Sequence, residues 1–179
     1  MSQPTKRALL VIDPQNDYLP GGKFPLWNTE ISLNNIEVAI NRAQRAGDPV
    51  VLIQHVADAT LGIAPFFNEG TEGAAIYPRI LALAPDAPVI VKAFADSFHH
   101  TNLEATLAEL KVGTLLICGM MTQNCVIHTA ISKAAERYQV SILEDCCTTV
   151  DPMIHKIALR AVSTRCTLAS LDEALPAGE

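Results

Sequence analysis

The sequence predicts an α/β chain, folded as a three-layer α/β/α sandwich around a doubly wound, mostly parallel sheet. Three observations carry that prediction. Short continuous runs of β-prone apolar residues recur along the chain, stretches with helical spacing separate them, and Gly or Pro punctuates the joins. Continuous runs, unlike alternating ones, suit strands covered on both faces, the condition of a parallel sheet between two helical layers. Strand and helix in alternation imply right-handed crossovers.

Taken in order, Ala8 to Ile12 is the first strand. Leu33, Ile36, Ile40 and Ala43 fall at 3, 4, 3 spacing and make the first helix, with Gly47 as its stop. PVVLIQ (49–54) is the second strand. Residues 59–88 are rich in Gly and Pro and lack a clean period, apart from a short helix around Tyr77 to Ala84. A connection of that length is usually a lid or a pocket wall. PVIVK (88–92) is the third strand, and Thr101-Asn-Leu-Glu104 is a capping-box pattern opening a helix with Leu103, Leu107 and Leu110 on one stripe. TLLICG (114–119) is the fourth strand. The next helix is expected to begin near Cys125, carrying Val126/Ala130/Ala134 and Ile127/Ile131/Ala135. QVSILE (139–144) is the fifth strand, and Asp151-Pro152 caps a last helix expected to bury Ile154, Ile157, Ala158 and Ala161. Residues 1–179 read as one domain without an internal repeat.

Composition narrows the function. A chain of 179 residues buries roughly 70% of its unfolded surface and needs no disulfide or metal to fold. With 13 Lys+Arg against 19 Asp+Glu, a net charge of −6 and no basic cluster denser than Lys6-Arg7, nucleic acid is not an expected partner. No run approaches the ~20 apolar residues of a membrane span. The five cysteines, 118, 125, 146, 147 and 166, show neither CxxC nor an even framework, so the expected setting is reducing cytoplasm, away from membranes.

In open parallel sheets ligands bind beyond the carboxyl ends of the strands. Asp13 ends the first strand, Lys92 ends the third, and Cys125 follows the fourth after Gly119-Met-Met-Thr-Gln-Asn124. Together they form a nucleophilic set, because a thiolate needs a proton acceptor and positive surroundings. A helix N-terminus at Cys125 would favour the anionic sulfur and an oxyanion alike. Plainer readings stand beside this one. Cys118 and Cys166 read as apolar filler, Cys146 and Cys147 also follow a strand, and Asp13 with Lys92 reads equally as a structural ion pair. His128, three residues beyond Cys125, is a rival base but points away from the opening. His99 and His100 read as loop residues, while His55 and His155 stand alone. No HxH, HExxH or Cys/His spacing indicates a metal, and no GxGxxG follows the first strand.

LVIDPQNDYLPGG (10–22), GTEGAAIYP (70–78), VKAFADSFHHTNLEATL (91–107), ICGMMTQNCVIHTA (117–130) and EDCCTTVDPMIH (144–155) resemble, in order and spacing, the isochorismatase-like cysteine hydrolase superfamily, which includes nicotinamidases and N-carbamoylsarcosine amidohydrolases. The resemblance implies that Asp13, Lys92 and Cys125 are catalytic. Asp13 takes the thiol proton, Lys92 holds the anionic pair, and the sulfur attacks a carbonyl carbon. It implies further that the backbone N–H groups of Met121 and Cys125 hold the oxyanion, that the Met120-Met121 peptide is cis, and that water hydrolyses a thioester.

Two departures matter. Nicotinamidases hold a metal with an Asp and histidines in and after the second strand, whereas Ile53-Gln54-His55-Val56-Ala57-Asp58 lacks that set. True isochorismatases lack the cysteine. The resemblance also places Tyr18 in the pocket, with Phe24, Trp27, Phe66 and Phe67 in loops that could complete a wall. The expectation is a metal-independent, cofactor-free hydrolase of a small amide, imide or carbamoyl substrate, assembled as a dimer or tetramer. Its alternatives are a metal-dependent nicotinamidase and a catalytically silent oligomeric regulator.

Overall fold

The computed structural model describes residues 6–178, so residues 1–5 and 179 of the expected domain lie outside the described residues. Six strands form one sheet: β1 (Lys6–Ile12), β2 (Val50–His55), β3 (Val89–Lys92), β4 (Val112–Met120), β5 (Gln139–Thr148) and β6 (Thr167–Ala169). All pairings are parallel, in the order β3-β2-β1-β4-β5-β6. The apolar run of β1 is sealed on both faces, since Ala8 to Ile12 are fully buried. Each buried Leu or Ile of this kind stabilises the fold by about 1.5–3 kcal/mol. The sixth strand, three residues pairing with Ser141 to Leu143, is too short to stand out by pattern.

Helices α1 (Thr29–Arg45), α2 (Pro78–Leu83), α3 (Leu103–Glu109), α4 (Ile127–Ala130) and α5 (Pro152–Val162) lie in the connections, and α6 (Leu171–Ala174) follows β6. In α1 the 3, 4, 3 stripe faces inward, with Leu33, Ile36, Ile40 and Ala43 buried, and Gly47 ends it at φ +76°. Such a conformation carries no Cβ penalty for glycine.

Three expectations are corrected. Thr101 and Glu104 form no capping box. The Thr101 hydroxyl donates to the Ser97 carbonyl (2.6 Å) and accepts from the Leu103 N–H (3.2 Å), while the reciprocal box stands at Ser170 and Glu173, opening α6. The long helix expected from Cys125 is instead a π-type turn over Thr122–Val126, the short α4 and a 3-10 turn over Lys133–Arg137. Ser132 divides them, because its hydroxyl accepts from the Ala134 N–H and competes with helix continuation. On α5, Ala158 is buried as expected, together with Leu159 and Val162, but Ile154, Ile157 and Ala161 are exposed. The helix is apolar on two stripes, and periodicity alone does not say which meets the sheet.

Gly119 brings the halves of the sheet together beneath the site. A Cβ there would lie 2.1 Å from the Ile12 carbonyl oxygen, and its φ of +118° further restricts the position to glycine.

Candidate active site

Strand order reverses at β1: β2 and β3 lie on one side of it, and β4 to β6 on the other. The crevice beyond the carboxyl ends at such a reversal is where open sheets bind ligands. Asp13 follows β1 with φ +49°, and its N–H donates to the Ile53 carbonyl (3.1 Å). Lys92 is the last residue of β3, and Cys125 lies in the turn after β4.

These three side chains converge. The Lys92 Nζ donates to Asp13 Oδ2 at 2.9 Å and to Cys125 Sγ at 3.3 Å. Asp13 and Lys92 side chains are 0% exposed. Asp13 Oδ1 is buried with no hydrogen-bond partner among the described residues, an acceptor left open in the site. The fourth member is His55, last residue of β2 and register partner of Lys92, whose Nδ1 lies 3.0 Å from Nζ. Ligand atoms of Asp13, His55 and Cys125 all fall within 4.8 Å of one another.

Burial and the Asp13 carboxylate push the Cys125 thiol well above its ordinary range, and Lys92 only partly offsets them. Burial thus works against the anionic sulfur that a cation and a helix end would favour. For Lys92, burial pulls downward, but Asp13 and Cys125 together outweigh it and keep the ammonium charged. Burial, then Lys92, pushes His55 below the ordinary imidazole value, against the pull of Asp13. Burial, then Asp13, Cys125 and Asp17, raises Tyr18, which stays a phenol.

A metal of the kind nicotinamidases hold does not fit these residues. Of the second-strand segment that would supply the ligands, only His55 reaches the site, and its Nδ1 already faces the buried Lys92 ammonium, so a divalent ion there would meet a positive charge. Gln54 is committed to the Ala74 carbonyl (2.8 Å), and Asp58 is exposed and accepts from Thr60.

The segment after β1 fastens the walls. Gln15 accepts from the His55 N–H (2.8 Å) and donates to the His55 and Ala74 carbonyls (2.7 Å each). Asn16 Nδ2 reaches the Glu72 carbonyl. Asp17, 3% exposed, accepts from the backbone N–H groups of Lys23 (3.1 Å) and Phe67 (2.8 Å). Spacing signals neither Gln15 nor Asp17, because the partners of both are backbone groups, which carry no residue-type signal. His55 did carry a signal, since it ends its strand as Lys92 does.

Of the expected wall, Tyr18, Phe24, Phe66 and Phe67 form one aromatic cluster. Tyr18 and Phe67 meet edge to face at 4.6 Å, and Phe24 stacks on Phe66 at 4.8 Å. Phe67 also approaches His55, at 5.8 Å. Trp27 stands apart, its ring 6.3 Å from that of His155, whose Nδ1 meets the Thr122 hydroxyl at 2.8 Å. The Met120-Met121 peptide is cis, and the Met121 carbonyl accepts from the N–H groups of Asn124 and Val126. His128 is exposed and bonded to the Asn124 carbonyl. Cys146 and Cys147 lie on β5, with thiols pushed up chiefly by burial, Cys147 to about 12.

The sequence model of the isochorismatase domain matches residues 7–172. The isochorismatase family protein YddQ of Bacillus subtilis is 39% identical over 79% of this chain and 77% of its own length. A nicotinamidase of Acinetobacter baylyi is 26% identical over 84% and 85%. Among solved structures, a proposed isochorismatase hydrolase from Oleispira antarctica is 31% identical, with a TM-score of 0.85 over 99% of this chain and 100% of that one.

Proposed function

The chain belongs to the isochorismatase family of hydrolases, and from that premise we propose that it is a metal-independent cysteine hydrolase cleaving a C–N bond of a small amide, imide or carbamoyl compound. The observation that carries this reading is the division of labour on Asp13. One carboxylate oxygen is spent on Lys92, the other is buried without a partner among the described residues, and the carboxylate lies within 4.8 Å of the Cys125 sulfur.

The Sγ proton passes to Asp13 as Sγ attacks the carbonyl carbon, and Lys92 stabilises the developing negative charge. The C=O π pair moves to oxygen, where the Met121 and Cys125 backbone N–H groups receive it. Losing one such donor raises the barrier by about 3 kcal/mol in comparable sites. Asp13 then protonates the leaving nitrogen, the C–N bond breaks and a thioester remains. Water adds to that carbonyl and gives a proton to Asp13. The C–S bond breaks, the acid leaves, and the same proton returns to sulfur. The raised thiol suits this sequence, because ionisation is coupled to attack rather than preceding it.

Tyr18, Phe66 and Phe67 support a small planar or apolar group beside the carbonyl. For assembly as a dimer or tetramer, support comes from exposed Met153, Ile154 and Ile157 on α5 and from Leu61 and Ile63 in the 59–88 connection. Among the described residues no helix is long and apolar enough to cross a membrane. The five free cysteines suit a reducing, cytoplasmic setting.

The test is ammonia release across a panel of small amides, imides and carbamoyl compounds, nicotinamide included, with and without chelator. Chelator-resistant turnover of at least one compound is expected. Turnover confined to nicotinamide and abolished by chelation would select the metal-dependent nicotinamidase instead. Inertness across the panel would favour a silent regulator.

A further inference from the structure

An ammonium has three protons to donate and nothing with which to accept. On Lys92 all three have partners: Asp13 Oδ2 at 2.9 Å, His55 Nδ1 at 3.0 Å and Cys125 Sγ at 3.3 Å. His55 Nδ1 must therefore be the accepting nitrogen, so the imidazole is neutral and carries its proton on Nε2. Its backbone is not free to choose otherwise. Gln15 clamps both the N–H and the carbonyl of His55, and strand register sets it opposite Lys92.

We infer that His55 is a positioning residue of the reaction: its neutral Nδ1 takes the third proton of Lys92 and so holds the ammonium between Asp13 and the Cys125 sulfur. The inference rests on the proposed cysteine mechanism and assigns His55 no contact with substrate. Without that acceptor, a buried N–H is left unsatisfied, and Nζ is drawn toward the Asp13 carboxylate, away from the weaker sulfur acceptor. Protonation of the ring would replace an acceptor with an N–H facing the ammonium. The charged groups that face the ring are Lys92 from β3, Asp13 from beyond β1 and, when ionised, Cys125 from beyond β4; the Phe67 ring beside it is neutral. Burial and Lys92 keep the imidazole neutral around pH 7, in accord with the accepting role.

His55→Asn and His55→Leu separate this role from a merely structural one, since Asn presents its amide oxygen where His presents Nδ1 and Leu presents no acceptor. The readouts are the pH profile of iodoacetamide alkylation at Cys125, which needs no substrate, and the pH profile of kcat/KM on a compound that wild type hydrolyses, with thermal melts to establish folding. His55→Leu is expected to lose at least tenfold in kcat/KM at pH 7 and to move alkylation to higher pH. His55→Asn should stay within about threefold of wild type and lose the acid-side fall due to imidazole protonation. Should His55→Leu not fold, the comparison of His55→Asn with wild type decides. An unchanged alkylation profile in folded His55→Leu, or an acid limb that persists unshifted in His55→Asn, would overturn the inference. Neither result would touch Cys125 as nucleophile, which stands or falls on its own variant.

Discussion

Asp13 and Lys92 meet at 2.9 Å with both side chains out of contact with solvent, and only one of the two carboxylate oxygens takes part. A pair formed only for stability would be expected to satisfy both oxygens, because an unpaired buried acceptor costs about 1–3 kcal/mol. The open Oδ1 is the feature that a proton-accepting role explains.

Replacing Lys92 by Met keeps the aliphatic bulk and removes the cation. Lys92 is what lowers the Cys125 thiol against burial and Asp13, so the thiol of Lys92→Met ionises at still higher pH. The pH profile of iodoacetamide alkylation at Cys125 should shift upward and turnover near neutrality should fall steeply. Coincident profiles would make Lys92 purely structural. Because the Asp13 charge is then buried alone, the variant should also lose about 3–5 kcal/mol of stability, measured by denaturant unfolding.

A methyl group added at Gly73 would lie 2.1 Å from Asp17 Oδ1. The carboxylate cannot yield freely, since it holds the backbone N–H groups of Lys23 and Phe67. Gly73→Ala is expected to cost about 1–3 kcal/mol in a denaturant melt and to speed alkylation of Cys125 as the wall loosens. Unchanged stability and labelling would show that the wall adapts without loss.

The continuous apolar runs made the sheet legible, and the rule that parallel strands present ligands at their carboxyl ends pointed to Asp13, Lys92 and Cys125. That rule applies equally to His55, but a lone histidine has no spacing partner in sequence to mark it. Its partner is across the sheet. Gln15 and Asp17 are illegible for a different reason, since their partners are backbone groups, most of them some 40 to 60 residues away, and backbone carries no residue-type signal. The buried face of α5 is not legible because two apolar stripes compete on it, and the upward push on the Cys125 thiol comes from burial, which no motif records.

His55 and His155 are both held below the ordinary imidazole value, in each case chiefly by burial. Below about pH 6.5 the unfolded chain takes up protons that the folded chain still refuses, so stability falls as pH drops through that window. Thermal melts between pH 7.5 and 5 should show the fall, and His55→Asn should show less of it. An equal fall in both proteins would remove His55 from the acid response.

Exhaustive chelation should leave turnover within about twofold of the untreated enzyme, because the second-strand segment brings His55 alone to the site and its Nδ1 faces the Lys92 ammonium. Loss of activity restored by added zinc would contradict this.

The most direct test of the cysteine mechanism is turnover by Cys125→Ala on a compound that wild type hydrolyses, measured beside a thermal melt. The substitution removes the sulfur to which Lys92 donates and leaves a small side chain in the turn after β4. A folded variant slowed by at least about a thousandfold is predicted, in line with the loss of a nucleophile in other covalent hydrolases. A folded variant that keeps a substantial part of wild-type turnover would contradict the mechanism at its centre.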